Sequence, residues 1–206
     1  MKQAIVTLDM EGVLVPEIWI AVAEKTGIDE LRRTTRDEPD YDKLMQGRLA
    51  LLDRHRLKLS DIQAVIGTLC PLPGARAFLD ELRSFTQLII LSDTFEQFAQ
   101  PLMRQLNWPT LFCHRLLVGD DDRITGYRLR IPDQKRKAVE ALRAMNYRVI
   151  AGGDSFNDTT MLAAADAGFL FRAPANVREQ FPQFPAFDAY ADLLRAIRGT
   201  SMTIDD

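Results

Sequence analysis

Two carboxylates standing two residues apart, in Asp9-Met10-Glu11-Gly12-Val13, are the groups of this chain best placed to do chemistry. One carboxylate can attack an electrophile while its neighbour gives or takes a proton. Gly12 lets the backbone turn sharply and approach a ligand closely. Read alone, the motif also fits a solvated acidic turn. Three further elements change that reading. A hydroxyl stands in Ser92-Asp93-Thr94, a basic cluster in Lys135-Arg136-Lys137, and a second acidic pair in Gly153-Asp154-Ser155-Phe156-Asn157-Asp158.

The elements that must position these groups are short apolar runs. Ala4-Ile5-Val6-Thr7-Leu8, Leu88-Ile89-Ile90-Leu91 and Arg148-Val149-Ile150-Ala151 read as buried strands, and each ends in one of the acidic or hydroxyl elements. In open α/β sheets the ligand crevice lies beyond such strand ends. Ala167 to Phe171 reads as a fourth core strand, and the basic cluster opens a helical pattern. The expectation is an α/β fold, a Rossmann-like parallel-sheet core.

Between the first two strands the pattern is helical. Pro16 to Gly27 carries proline at its start and glycine past its end. Thr34 to Pro39 is polar and loop-like. Tyr41 to His55 has leucine and methionine at helical spacing, and Ser60-Asp61 reads as the cap of a helix running to Leu69. Pro71-Leu72-Pro73-Gly74 breaks the chain before a helix over Ala75 to Ser84. An ordinary βα connection takes about 2–6 residues, so this stretch reads as an inserted helical cap lying over the crevice. The expected division is a core of residues 1–14 and 72–206 and a cap of residues 15–71.

Residues 116–127 read as a small β-hairpin around Gly119-Asp120-Asp121-Asp122. Its aspartates read as a solvated turn, because the loop lacks the length and closing glutamate of a calcium-binding EF-hand. Pro174 to Pro185 reads as a loop packed on the core, Ala189 to Arg198 as a last helix, and the final residues as frayed.

With 206 residues and 47% hydrophobic content, the chain suffices for one α/β domain carrying an insertion. A formal net charge of −3 gives no basic surplus for nucleic acid. No apolar run approaches the roughly 20 residues that span a bilayer, and the start of the chain does not read as a secretory leader. Cys70 and Cys113 read as reduced, mostly buried thiols, so the expected location is the cytoplasm. His55 and His114 lie outside the motifs and read as incidental; the methionine and tryptophan positions read as core.

With all four elements placed, the chain resembles the haloacid-dehalogenase-like phosphohydrolase superfamily from Lys2 to about Arg198. Asp9-Met10-Glu11-Gly12-Val13 matches the first motif, usually Asp-x-Asp-Gly; Ser92 matches the second, Lys135 the third, and Gly153 to Asp158 the fourth. More narrowly, Glu11 to Trp19, Leu91 to Phe95 and Asn157 to Met161 are similar to a subgroup that joins phosphoserine phosphatase and homoserine phosphotransferase activities. That subgroup shares Glu11 where the wider family has aspartate.

The resemblance implies a set of roles. Asp9 is the nucleophile, Glu11 the proton donor and acceptor, and Ser92 the phosphate-binding hydroxyl. Lys135 neutralises the phosphoryl group, with Arg136 and Lys137 as competitors for that place. A carboxylate attacking a phosphate dianion needs charge neutralisation, for which Mg2+ is the hard, oxygen-seeking choice. Asp9, the Glu11 backbone carbonyl and Asp154 are the implied metal ligands, with Asp158 supporting them or capping the helix that starts near Asn157. Glu17 would meet a substrate ammonium, Arg48 its carboxylate, and Tyr41 would close the pocket; Asp93 and Asn157 complete the expected substrate contacts. O-phospho-L-serine is the implied substrate and homoserine the implied second acceptor. Alternatives are a phosphatase of another small phosphometabolite, a dehalogenase, and a non-enzymatic domain that accepts or binds phosphate.

Overall fold

The computed structural model describes residues 2–34, 37–38 and 40–201. Part of the polar loop expected over Thr34 to Pro39, and the terminus expected to fray, lie outside the described residues.

The central strand is β1 (Ala4–Leu8). It is followed by α1 (Ile18–Thr26), a short 3-10 turn, α2 (Tyr41–Arg54), α3 (Leu59–Ile66) and α4 (Ala75–Arg83). Then come β2 (Gln87–Phe95), α5 (Glu96–Gln105), β3 (Thr110–Val118), β4 (Ile124–Arg128), α6 (Gln134–Ala144) and β5 (Arg148–Gly153). The chain finishes with α7 (Thr159–Ala164), β6 (Ala167–Phe171), α8 (Ala175–Gln180), β7 (Ala186–Phe187) and α9 (Tyr190–Ser201). The sheet has seven strands in the order β4-β3-β2-β1-β5-β6-β7. All neighbours are parallel except β3 and β4.

Strands β1 and β5 lack a polar face because both of their faces are covered. Val6 and Leu8 pack with residues of α4, α5 and α9, while Ile5 packs with residues of α6 and α7. The register sets Leu8 opposite Ile90 of β2 and Gly152 of β5. The chemistry-bearing residues at the C-terminal ends of these three strands therefore emerge side by side; β2 runs on through Ser92-Asp93-Thr94 to Phe95, past the Leu91 at which its apolar run ends, with an irregularity in its pairing to β3 there.

The helical stretch between β1 and β2 shares the larger of the two apolar cores. Val22, Met45, Leu52, Ile62 and Ile66 belong to it. The chain entering and leaving this stretch is pinned where Leu72 N–H donates to the Leu14 carbonyl at 2.9 Å. Helix α1 begins later than its proline suggests: Glu17 is the N-cap, and Pro16 lies ahead of it. Gly27 closes α1 in the left-handed conformation, φ 70°, as expected.

Helix α3 departs from expectation at its start. Ser60 is not its cap. Asp61 reaches back to the Lys58 N–H at 2.8 Å, while the Leu59 and Ser60 N–H groups donate to the carbonyl and the carboxylate of Asp122 at 3.0 and 2.9 Å. The aspartate turn is thus no merely solvated loop. Lys58 Nζ also donates to the Asp121 carbonyl at 2.9 Å, and Arg123 pairs with Asp53 at 2.7 Å. The hairpin is also more than a separate ribbon, since the first half of β3 extends the core sheet, with Thr110 opposite Ile89.

Other expectations need correction. The stretch from Pro174 to Pro185 contains α8, with Pro174 at its N-cap. Cys70 is exposed and Cys113 half-buried. Trp108 and Met145 stand 64% and 62% exposed, outside the core that holds Trp19.

Candidate active site

Asp9 leaves β1 at its C-terminal end, buried, with its N–H on the Gly152 carbonyl at 2.9 Å. The turn behind it needs Gly12 twice over. Its φ is 74°, and a Cβ there would lie 2.4 Å from Asp154 Oδ2. Gly153 is constrained in the same way, since a Cβ would meet Asp158 Cβ at 2.4 Å.

Lys135 enters from the first turn of α6 and is 3% exposed. Its Nζ lies 2.7 Å from Asp158 Oδ1, 3.0 Å from Asp9 Oδ1 and 3.6 Å from Asp93 Oδ2. Burial disfavours its charge, but Asp158, Asp9 and Asp93 outweigh burial and hold its pKa well above the usual lysine value. Arg136 instead pairs with Asp133 and Glu140, and Lys137 is exposed. Of the three basic candidates, Lys135 is the one the fold delivers to Asp9.

Asp158 has no exposed surface. Its Oδ2 accepts the N–H groups of Asp154 and Ser155, both at 3.0 Å, and the Ser155 hydroxyl at 2.9 Å. It therefore ties the loop after β5 to Lys135, besides facing the acidic cluster. Carboxylate oxygens of Asp9, Asp154 and Asp158 all lie within 4.8 Å of one another. Burial, then Asp158, and further Asp154 push the Asp9 carboxyl well above the usual range, even with Lys135 opposing. A crowded all-oxygen set with more negative charge than one lysine neutralises suits a hard divalent cation.

Glu11 faces the same space. Its Oε2 accepts the Ile18 N–H at 2.8 Å, filling the place that a capping side chain would take at the start of α1. Burial, then the nearby Glu17, raise its pKa to about 7, and the Ile18 N–H restrains the rise. Ser92 is buried on β2, where its Oγ accepts the Thr94 N–H at 3.2 Å.

A cavity of about 250 Å³ joins these groups to the helical stretch between β1 and β2. Asp9, Glu11, Ser92, Asp93, Lys135, Asp154 and Asn157 line it from the sheet side, and Glu17, Tyr41 and Arg48 from the other. Among the site residues expected from sequence only Asp158 is not in its wall; it lies beneath. Trp19, Ile20, Thr34 and Leu44 also line it and were not foreseen. Arg48 is 8% exposed, with its guanidinium 4.5 Å from the Trp19 ring centroid and Nη2 on the Arg33 carbonyl at 2.7 Å. Its buried Nε has no hydrogen-bond partner among the described residues. Burial lowers the Arg48 pKa to about 10, opposed by Glu11, Tyr41 and Glu17, so the group stays charged near neutrality. Tyr41 donates its hydroxyl to the Asp93 carbonyl at 3.1 Å.

Sequence reading also missed His114 and Gln134. Both are buried behind Asp93, and Gln134 bonds the Ser92 carbonyl as well. Gln134 had a signal in its place beside Lys135; His114, on β3, had none.

The geometry and the sequence agree on a class. The haloacid dehalogenase-like hydrolase family matches residues 4–166, and the chain belongs to that family. Its similarity to particular proteins is closer still. It is 63% identical over 191 residues to the phosphoserine phosphatase ThrH of Pseudomonas aeruginosa, covering 93% of each chain. It is 62% identical to a phosphoserine phosphatase of Pseudomonas syringae pv. tomato, over 92% of this chain and 80% of that one. In fold it is similar to a structure described as a phospho-aspartyl intermediate analogue of phosphoserine phosphatase. That match has a TM-score of 0.78 at 18% identity, over 95% of this chain and 99% of that one. Among the described residues no helix is long and apolar enough to cross a membrane.

Proposed function

We propose that this hydrolase is a Mg2+-dependent phosphomonoesterase that acts on O-phospho-L-serine through an aspartyl-phosphate at Asp9. The observation that carries the reading is the cavity itself. A buried carboxylate 3.0 Å from a buried ammonium, Asp9 and Lys135, faces an anchored guanidinium, Arg48, across it. Relatives named as phosphoserine phosphatases, 62–63% identical, support the substrate.

In this reading residues 15–71 form the cap that sets specificity. Arg48 receives the substrate carboxylate and Glu17 its ammonium. Tyr41, Asp93 and Asn157 complete the wall. Ser92 and Lys135 hold phosphate oxygens, with Lys135 keeping its charge although buried. Asp9 attacks phosphorus; the bond to the serine oxygen breaks, and that oxygen takes the proton of Glu11. Glu11 then removes a proton from water, which attacks the same phosphorus and frees phosphate and Asp9. Asp9, Asp154 and the Glu11 carbonyl, with Asp158 behind them, would hold Mg2+. When bound, the ion supplies the positive charge that lets a carboxylate meet a phosphate dianion.

The second half-reaction has room for another acceptor. Homoserine carries the same ammonium and carboxylate as serine, one methylene further from its hydroxyl. Glu17 and Arg48 can hold it while its hydroxyl takes the place of water, giving O-phosphohomoserine. A cytoplasmic setting belongs to the same proposal, supported by two free cysteines. The reading includes no nucleic-acid or membrane partner.

The test is phosphate release, with and without Mg2+, across phosphorylated amino acids, sugars and nucleotides. Phosphoserine should lead, and only with the metal. Preference for a sugar phosphate would overturn the amino-acid assignment. Incubation with phosphoserine and homoserine should yield O-phosphohomoserine by mass spectrometry; free phosphate alone at saturating homoserine would end the transferase reading and leave the phosphatase reading intact.

A further inference from the structure

His114 sits on β3 behind the cavity, 5% exposed. Its Nδ1 accepts the backbone N–H of Arg130 at 3.2 Å. A ring nitrogen that accepts carries no proton of its own, so the neutral imidazole bears its proton on Nε2. His114 Nε2 lies 3.6 Å from Asp93 Oδ1, a dipole-to-charge contact longer than a hydrogen bond. Gln134, 2% exposed at the start of α6, donates from Nε2 to the same Asp93 oxygen at 3.2 Å. Its own oxygen accepts from Arg130 Nε at 3.1 Å, which fixes which way the amide points.

Two buried donors from two different elements thus converge on one oxygen of Asp93. The other oxygen, Oδ2, faces the site: Lys135 Nζ lies at 3.6 Å and Asn157 Nδ2 at 3.3 Å. Asp93 needs such support because its side chain is 35% exposed, the most open of the three carboxylates around Lys135. A carboxylate at a cavity wall with a third of its surface open has little packing to fix its rotamer. We propose that His114 and Gln134 are a positioning pair that fixes the Asp93 carboxylate, so that Oδ2 holds Lys135 and Asn157 in place for the phosphoryl group. The inference rests on the phosphatase reading above. Neither residue touches the reacting atoms; both act through Asp93.

A double-mutant cycle tests this on the full-length, Mg2+-loaded protein, with a small aryl phosphate as substrate. His114→Asn keeps an acceptor near the place of Nδ1 but loses the donor to Asp93. It should lower kcat several-fold, with little change in KM. His114→Gln restores an amide donor near the place of Nε2 and should recover most of that loss. In an Asp93→Asn background, His114→Asn should cost nothing further, since residues acting through one group are not additive. Additive losses, or equal losses in the Asn and Gln variants, would overturn the proposal. A crystal structure of His114→Asn decides it independently of turnover. Asp93 should be rotated away from Lys135, and an unmoved carboxylate would refute the pair's role. Absence of any phosphatase activity in the wild type would sink the proposed function and leave this structural arm standing.

Discussion

One oxygen of Glu11 is bound to the first turn of α1, accepting the Ile18 N–H at 2.8 Å. The residue proposed to move the catalytic proton therefore also satisfies the first N–H of α1, whose N-cap position is held by Glu17. Aspartate is one methylene shorter and is expected to fall short of this N–H. Glu11→Asp should lose that bond at a cost of about 1 kcal/mol, lowering the unfolding temperature by about 2–4 °C in a chain of this length. Glu11→Gln keeps the reach and an accepting oxygen but has no proton to exchange. It should unfold near the wild-type temperature while turnover falls by about 10²–10⁴. Thermal unfolding and steady-state kinetics on both variants separate the two duties; a Gln variant with full turnover would remove Glu11 from the chemistry.

Asp9→Asn should abolish turnover and keep the fold. It should also be more stable than the wild type in metal-free buffer. A carboxyl whose pKa rises on folding ionises more readily in the unfolded chain, so it costs stability as pH rises above the usual carboxylate range. Asparagine removes that charge from among Asp154 and Asp158. Urea titrations between acidic and neutral pH, with chelator present, should show the wild type losing stability relative to the variant as pH rises. A lower stability of Asp9→Asn at neutral pH would contradict this.

Metal binding should be visible without catalysis. A ligand that binds only the folded state raises the unfolding temperature, and goes on raising it as its free concentration exceeds the dissociation constant. Mg2+ should raise that of the wild type and not that of Asp154→Asn, which loses one of the three clustered carboxylates. Chelation should end phosphate release. Full activity after exhaustive chelation would exclude the metal from the mechanism.

Arg48→Ala should weaken turnover of phosphoserine far more than that of a small aryl phosphate, which has no carboxylate to hold. Loss of a hydrogen bond to a charged group costs roughly 1.5–3 kcal/mol, or about 10- to 150-fold. Because Arg48 also stacks on Trp19 and binds the Arg33 carbonyl, unfolding should be followed alongside. Equal loss on both substrates would make Arg48 a structural residue of the insertion.

The parts legible in sequence were those written in contiguous residues. β1 and β5 are apolar runs buried on both faces, and the resemblance singles out Lys135 from two basic neighbours; in the structure burial makes the same choice. What escaped was tertiary. The first half of β3, Thr110-Leu111-Phe112-Cys113, is only partly buried, so although Asn107 and Pro109 mark a turn before it, it does not stand out as a core strand. Asp122 caps a helix whose first residues lie about 60 positions earlier, a relation that no local pattern contains. His114 gains its meaning only when β3 sets it behind Asp93. Trp108 follows Asn107, and both have positive φ, 52° and 63°; that turn leaves the indole outside the core.

The hairpin tip gives the insertion a mechanical character. Besides the crossing of Leu14 and Leu72, the stretch is fastened at the hairpin, where Asp122 takes the first N–H groups of α3, Lys58 reaches the Asp121 carbonyl and Arg123 pairs with Asp53. The helices that carry Tyr41 and Arg48 are thus buttressed from a turn remote from the chemistry, and a change at Asp122 reaches the cavity through that buttress.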